Sequence, residues 1–198
     1  MFGIVKDSEV IAEFAAPLTV RSNRPVYATD LLNLKRSIGR LAPAQRWEIE
    51  TRLVPVSGTA GQLFSLLARH GHNIPIELQV PQPYGAIEFL MYNSKTLTAT
   101  PITINSLSLS GTLSPEHLGC FFRLDNNGKL YIITDISGNE IQVFPNLVNV
   151  PGPVTLWLNN AIRSKFFLDT DSIAGMAYTD GVLMDNGVIK FIEALGVV

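Results

Sequence analysis

Tight-turn signals set between short, mostly apolar runs are the feature that most constrains how this chain can fold. Residues 125–128 read Asp-Asn-Asn-Gly and separate the runs 121–124 and 130–133. A second signal, Ser-Gly-Asn at 137–139, precedes another apolar run at 141–144. Such turns favour antiparallel hairpins because asparagine and glycine tolerate the positive φ angles that a short connection needs. Several short strands joined in this way predict a small antiparallel barrel.

Residues 46–53 show the alternation of a strand with one buried and one charged face. The residues of the predicted buried face are Trp47, Ile49, Thr51 and Leu53, and those of the charged face are Arg46, Glu48, Glu50 and Arg52. The period then changes, because apolar residues recur at helical spacing between Ala60 and Leu67. This pattern predicts a short amphipathic helix directly after the strand.

Strand and turn patterns at both ends of the chain flank the predicted barrel. Residues 165–168 and 187–194 form apolar runs after it. Strands from the two ends can pair, so we predict a β domain built from residues 1–82 plus 160–198 and an inserted domain at 83–159. The predicted fold class is mainly β with one or two short helices, in which a β-sandwich or barrel made from both termini carries an inserted OB-like β-barrel.

The composition limits the class of protein. The chain of 198 residues is 46% hydrophobic and 16% charged, which excludes a disordered chain. Its net charge of -2 gives no overall positive field to attract nucleic acid or anionic lipid. The single cysteine cannot form an internal disulfide, and prolines and asparagines interrupt the longest uncharged run, between Glu140 and Arg163. We expect no membrane segment, a reducing compartment and a surface partly covered by partners.

Charge is unevenly distributed along the chain. Residues 21–69 contain eight basic and three acidic residues, although the whole chain has a net charge of -2. Two interpretations remain open: a solvated face with its counter-charges nearby in the fold, or a basic edge that meets the acidic edge of a second copy. In the second case the charged face of the predicted strand contributes to a subunit interface through Arg46, Glu48, Glu50 and Arg52.

Residue clusters typical of enzymes are sparse. His70 and His72 lack a third metal ligand at a recognisable spacing, and a histidine just past a helix is typical of a capping role. His117 and Cys120 are close enough in sequence to consider a nucleophilic pair. Two phenylalanines follow Cys120, however, which favours burial in a core.

Two acidic stretches have a local likeness to cation sites. These are the pair at 169–171 and the turn at 125–128, and both are explained by side chains that bond their own backbone in turns. The chain also lacks a glycine-rich phosphate loop and a nucleophile elbow. We therefore predict no catalytic residue, no cofactor, no metal and no enzymatic activity.

A small barrel can bind oligonucleotides or oligosaccharides. Residues 83–159 carry three basic and five acidic side chains, which argues against phosphate binding and against sequence-specific recognition of nucleic acid. Stacking of a sugar on Trp157 or Tyr131 remains open, since core packing explains both residues equally well.

Two stretches of the sequence resemble a known family. The first runs from Gln-Arg-Trp-Glu-Ile-Glu at 45–50, through Val-Pro-Val at 54–56, to the helix at 63–67. The second is Gly-Lys-Leu-Tyr-Ile-Ile-Thr at 128–134, followed by 141–147. Together and in this order they resemble bacteriophage distal tail proteins, the minor tail or tail-tip ring proteins that carry an inserted OB-type domain.

The resemblance implies a structural role in a virion. Members form a ring, commonly a hexamer, that joins the tail tube to the tail tip or baseplate. The implied partners are further copies of this chain, the tail tube protein and the tail-tip or baseplate hub proteins. The implied location is the phage tail, assembled in the host cytoplasm. The alternative function is a carbohydrate-binding module of a phage tip that uses the barrel at 83–159.

Overall fold

The computed structural model describes most of the chain. The described residues are 2–23, 26–30, 36–40, 45–56, 58, 60–69, 74–83, 86–169, 177–179, 182–185 and 187–194. In chain order the elements are β1 (Gly3–Lys6), β2 (Glu9–Asn23), β3 (Val26–Asp30), β4 (Arg36–Arg40), β5 (Arg46–Leu53), α1 (Ala60–Arg69), β6 (Ile76–Pro81), α2 (Ala86–Tyr92), β7 (Lys95–Thr103), β8 (Ser106–Leu109), a 3-10 turn (Pro115–His117), β9 (Phe121–Leu124), β10 (Leu130–Ser137), β11 (Glu140–Phe144), β12 (Val154–Leu158), β13 (Ala161–Leu168), β14 (Ala177–Thr179), β15 (Val182–Asp185) and β16 (Ile189–Glu193). Most strands belong to two closed barrels, and β3-β4 and β14-β15 form separate two-stranded sheets.

The first barrel takes its strands from both ends of the chain. Six strands close in the order β1-β2-β5-β16-β13-β6, and every neighbouring pair is antiparallel. Trp47, Ile49 and Leu53 of β5 lie in the apolar cluster of this barrel, as the alternation predicts. Leu63 and Leu67 of α1 are buried in the same cluster, so the predicted helix packs against the barrel through its apolar face.

The second barrel is formed by one continuous stretch of the chain. Its strands close in the order β10-β11-β8-β7-β12-β9, again with antiparallel pairs. The two predicted turns join its hairpins, and Gly128 and Gly138 take the positive φ angles of 64° and 63° that those turns require. The barrel encloses its own apolar cluster. It has six strands, whereas the OB barrel has five.

The helices agree only partly with the sequence analysis. α1 is present where predicted. A second short helix is within the predicted fold class, but the position of α2 was not predicted. It buries Ala86 and Leu90 against the second barrel, and seven residues are too few to establish a helical period in the sequence.

The structure confirms the predicted mainly β fold with barrel-like sheets and two short helices. The strands of the second barrel lie in the chain between β6 and β13, which are neighbours in the first barrel. The exact domain limits, 1–82 plus 160–198 and 83–159, stay a prediction. Within the part of the chain that the structure describes, no helix has the length and apolar character to cross a membrane.

Candidate functional site: the junction between the two barrels

The two barrels meet at a buried carboxylate, Glu193, at the end of β16. The pairing of β16 with β5 ends where Ile192 lies opposite Glu48. The next amide of β5, Trp47 N–H, donates to Glu193 Oε2 at 3.2 Å. Leu130 N–H, the first amide of β10, donates to Oε1 at 2.7 Å. One carboxylate therefore continues the hydrogen bonding of the first barrel into the second.

The ammonium of Lys129, in the second barrel, lies beside this carboxylate. Lys129 Nζ is 3.3 Å from Glu193 Oε2 and donates to the carbonyl of Gln45 at 2.6 Å. The two charged side chains are only 3% and 0% exposed. Charges buried to this degree are tolerated only with compensating contacts. Here the carboxylate receives three donors and the ammonium has two acceptors, so charge as well as packing specifies how the barrels join.

Burial acts on both ionisable groups of this pair. It raises the pKa of Glu193, and the Lys129 ammonium and the two amide donors oppose that effect. Burial also lowers the pKa of Lys129, and the carboxylate opposes the change. Both pKa shifts favour the neutral forms, because a buried site penalises charge. The ionised pair therefore depends on each partner remaining in place.

Gln82 forms a second polar link where the chain leaves the first barrel. Its Oε1 accepts from Phe121 N–H at 2.7 Å, and its Nε2 donates to Phe121 O at 2.7 Å. This exchange resembles a hydrogen-bonded pair in an antiparallel ladder. Nε2 also donates to the carbonyl of Asn159 at 2.8 Å, just before the chain returns to the first barrel. One side chain thus contacts both chain crossings between the barrels.

The indole of Trp47 supplies the apolar part of the junction. Its Nε1–H donates to the carbonyl of Leu130 at 2.9 Å. The ring makes edge contacts with Phe121 and Phe144, with centroids 5.3 and 6.0 Å away. Phe121 and Leu130 of the second barrel belong to the apolar cluster of the first. Because the core continues across the junction, we expect the two barrels to move as one body.

The two glutamates predicted to lie at a subunit interface are engaged within the chain. Glu48 accepts a hydrogen bond from Asn23 Nδ2 at 2.6 Å and pairs with Lys190 at 3.3 Å. Glu50 pairs with Arg21 at 3.1 Å. These partners come from β2 and β16, the two neighbours of β5 in the barrel. For both glutamates, the counter-charges therefore lie nearby in the fold, which is the first of the two interpretations of the charged face.

The two arginines of the same predicted interface differ from the glutamates. Arg46 and Arg52 are exposed near opposite ends of β5, on the charged face that the alternation predicts. Neither forms a salt bridge with any residue that the structure describes. Their place in a subunit interface stays a prediction, and they are the two members of the set that have no ion-pair partner among the described residues.

The histidine and cysteine considered as a nucleophilic pair are both buried. Burial raises the pKa of Cys120 to about 11, so its thiol stays protonated at neutral pH. Its Sγ donates weakly to the carbonyl of Glu116 at 3.7 Å. The His117 ring packs edge-on against Phe89, with centroids 4.9 Å apart, and its Nδ1 is 3.0 Å from Ser114 Oγ. These contacts are those of core residues.

The other metal and cation candidates form no cluster in the described part of the chain. His70, His72 and Asp171 lie outside the described residues, and Asp169 pairs with Lys190 at 3.6 Å. Among the residues that are described, no group of three or more His, Cys, Asp or Glu side chains is arranged to hold a metal ion.

The two aromatic residues considered for sugar stacking lie in different environments. Tyr131 is fully buried, and its hydroxyl accepts from Asn127 Nδ2 at 3.0 Å and from Val148 N–H at 3.3 Å. Burial raises the pKa of this phenol. The structure therefore decides in favour of core packing for Tyr131. Trp157 is 40% exposed on β12 and remains available for stacking.

The junction was not predicted from the sequence, although the sequence contains one signal for it. Glu193 shares the inward register of β16 with Ile189 and Phe191, so a charged residue stands at a core position. Gln82 and Lys129 carry no comparable signal, because their partners lie far away in the sequence. No family model and no curated protein matches the chain.

Proposed function

We propose that this chain is a structural subunit of a phage tail tip or baseplate that forms a ring, in six copies, between the tail tube and the distal adsorption apparatus. The proposal rests on the location of the two stretches that resemble distal tail proteins. The stretch 45–50 contains Trp47, and the stretch 128–134 contains Lys129 and Leu130, so both stretches meet at the junction. A subunit that connects two larger assemblies needs its parts held rigidly, and these residues supply that rigidity.

Strand β2 offers a surface for self-association. Residues 19–23 pair with 46–50 of β5, and no described strand pairs with the other edge of that segment. Open strand edges are templates for pairing with another chain. Arg46 of β5 lies opposite Asn23 in the β2-β5 ladder, so an exposed positive charge lies one strand away from that edge. A ring contact here would combine backbone hydrogen bonds with charge complementarity.

The native mass of the purified chain tests the proposal directly. We expect a closed species of about six subunits at high concentration and low salt, with an open lumen in negative-stain images. Because exposed charges are screened, added salt should shift the equilibrium towards the monomer. A wild-type chain that stays monomeric under all these conditions would contradict unaided ring formation.

Charge reversal at the two exposed arginines tests the predicted interface. In the double variant Arg46→Glu/Arg52→Glu we expect assembly to weaken by about tenfold or more, with unchanged thermal stability. The matched control is Lys95→Glu, which reverses an exposed charge on the second barrel. Assembly equal to wild type in the double variant would remove the electrostatic part of the proposed interface.

A further inference from the structure

Alternate residues of three neighbouring strands form an outward-facing surface on the second barrel. β12 lies between β7 and β9. The outward residues are Thr96 and Thr98 of β7, Thr155 and Trp157 of β12, and Arg123 and Asp125 of β9 and the turn that follows it. We call these six residues the β12 face. Their neighbours in each strand point into the apolar cluster, which fixes which side chains face outward.

The β12 face has an aromatic row and a polar row. In the aromatic row, Trp157 lies between Thr96 and Arg123. In the polar row, Thr155 lies opposite Thr98, and a shallow groove runs along this row beside Asp125, Asn126 and Pro153. Residues two apart in a strand are separated by about 6.6 Å. Trp157 therefore shares the outward face of β12 with Thr155, and its backbone lies one such step along the strand from the groove.

One polar group of the groove is oriented by a hydrogen bond, and the groove keeps capacity for a ligand. Asp125 Oδ1 accepts from Thr155 N–H at 3.2 Å. No described residue donates to the other oxygen of this carboxylate or bonds to the hydroxyls of Thr98 and Thr155. In the aromatic row, Arg123 donates to the carbonyl of Arg163 at 3.2 Å, which braces its guanidinium against the first barrel. A fixed carboxylate and hydroxyls beside an aromatic surface suit a ligand with one apolar face and many hydroxyls.

We propose that the β12 face binds a neutral saccharide. One face of a pyranose ring presents C–H groups that stack on an indole, and its hydroxyls are donors for a carboxylate and partners for threonine hydroxyls. The charges of Arg123 and Asp125 balance within the face. Lys129, one of three cations in the second barrel, is buried against Glu193, so little positive charge remains to bind a phosphate backbone. This proposal does not depend on ring formation.

A glycan array probed with the full chain tests the proposal. The array carries neutral oligosaccharides of glucose, galactose, rhamnose and N-acetylglucosamine, and any ligand found is then titrated in solution. We expect Trp157→Ala to weaken binding by about tenfold or more and Asp125→Asn by about tenfold, whereas Trp157→Phe keeps most of the affinity. The chain has two tryptophans, and Trp47 is buried. A change of tryptophan fluorescence during the titration should therefore come from Trp157.

Two variants serve as matched controls. Ile104→Ala removes an exposed apolar side chain beyond the far end of β7, and Asp135→Asn removes an exposed carboxylate from β10. Both should bind like wild type. Circular dichroism and thermal melting show that each variant is folded, and Asp125→Asn provides the test if Trp157→Ala does not fold.

Three outcomes would overturn the saccharide site. The first is a folded wild-type chain that retains no oligosaccharide on the array at high concentration. The second is a ligand whose affinity is the same for wild type, Trp157→Ala and Asp125→Asn. The third is a change of native mass in Trp157→Ala without any glycan binding by the wild type, which would assign the face to a second copy of the chain. Because native mass and glycan binding are measured separately, failure here is distinguishable from failure of the ring proposal.

Discussion

Both barrels close with six antiparallel strands around an apolar cluster, but they satisfy their buried polar groups in different ways. In the first barrel the carboxylate of Glu193 takes two of its three donors from Lys129 and Leu130 of the second barrel. In the second barrel the hydroxyl of Tyr131 takes donors from Asn127 and Val148, which lie in the same barrel. The first barrel therefore needs the second to compensate the buried charge of Glu193. The second barrel satisfies the neutral hydroxyl of Tyr131 with its own residues.

Removing the cation of the junction should have the largest effect on stability. Lys129→Met leaves the Glu193 carboxylate buried without its ion-pair partner, and breaking a buried pair costs about 3–5 kcal/mol. Urea denaturation should show a free energy of unfolding reduced by that amount. The control Lys95→Met removes an exposed lysine and should change the free energy by less than about 0.5 kcal/mol.

The same variant should make stability depend on pH in a defined direction. Burial already raises the pKa of Glu193 in the folded chain, and loss of the ammonium raises this pKa further. A carboxyl with a folded pKa above its unfolded pKa stabilises the fold at low pH, and that contribution is lost as pH rises through the folded value. The loss in Lys129→Met should therefore be smaller at about pH 4 than at about pH 8. An equal loss at both pH values would show that Glu193 is not the group left uncompensated.

Truncating Gln82, the second polar link of the junction, should have an intermediate effect on stability. Gln82→Ala removes three hydrogen bonds and leaves the backbone N–H and C=O of Phe121 unpaired in a buried place, which should cost about 2–3 kcal/mol. Gln62→Ala, on the exposed side of α1, is the matched control. Amide hydrogen exchange should accelerate at Phe121 in Gln82→Ala. If exchange there stays at the wild-type rate, the link does not hold the crossing in place.

The smallest effect is expected in the second barrel. Tyr131→Phe removes the hydroxyl and leaves Asn127 Nδ2 its other acceptor, the carbonyl of Val148, so we expect a loss of about 1 kcal/mol. Thermal unfolding should detect this change, and Tyr92→Phe, at an exposed position, should leave the melting temperature unchanged. A loss in Tyr131→Phe as large as that in Lys129→Met would erase the difference between the barrels.

The sequence predicted those parts of the structure that depend on neighbouring residues. The turns at 125–128 and 137–139, the apolar face of β5 and the helix after Pro55 are local patterns, and the structure contains all of them. On the charged face of β5, Glu48 is buried, because its partners Asn23 and Lys190 come from the neighbouring strands. The helix α2 was missed because its few residues give no recognisable period. For the site, the sequence placed Arg46 and Arg52 on an exposed face and left open that counter-charges lie nearby, but it did not identify β2 and β16 as the strands that pair with the glutamates between them.

By itself, the sequence determined the mainly β class, the two hairpin turns and the apolar face of β5, because alternation and turn chemistry act over a few residues. Only the tertiary structure decided that Glu193 meets Lys129, that Gln82 reaches Phe121 and that Thr98, Thr155 and Asp125 line one groove. These contacts join residues far apart in the chain, and their energies depend on burial that exists only once both barrels have closed. The physical reason is that desolvation is a property of the whole fold.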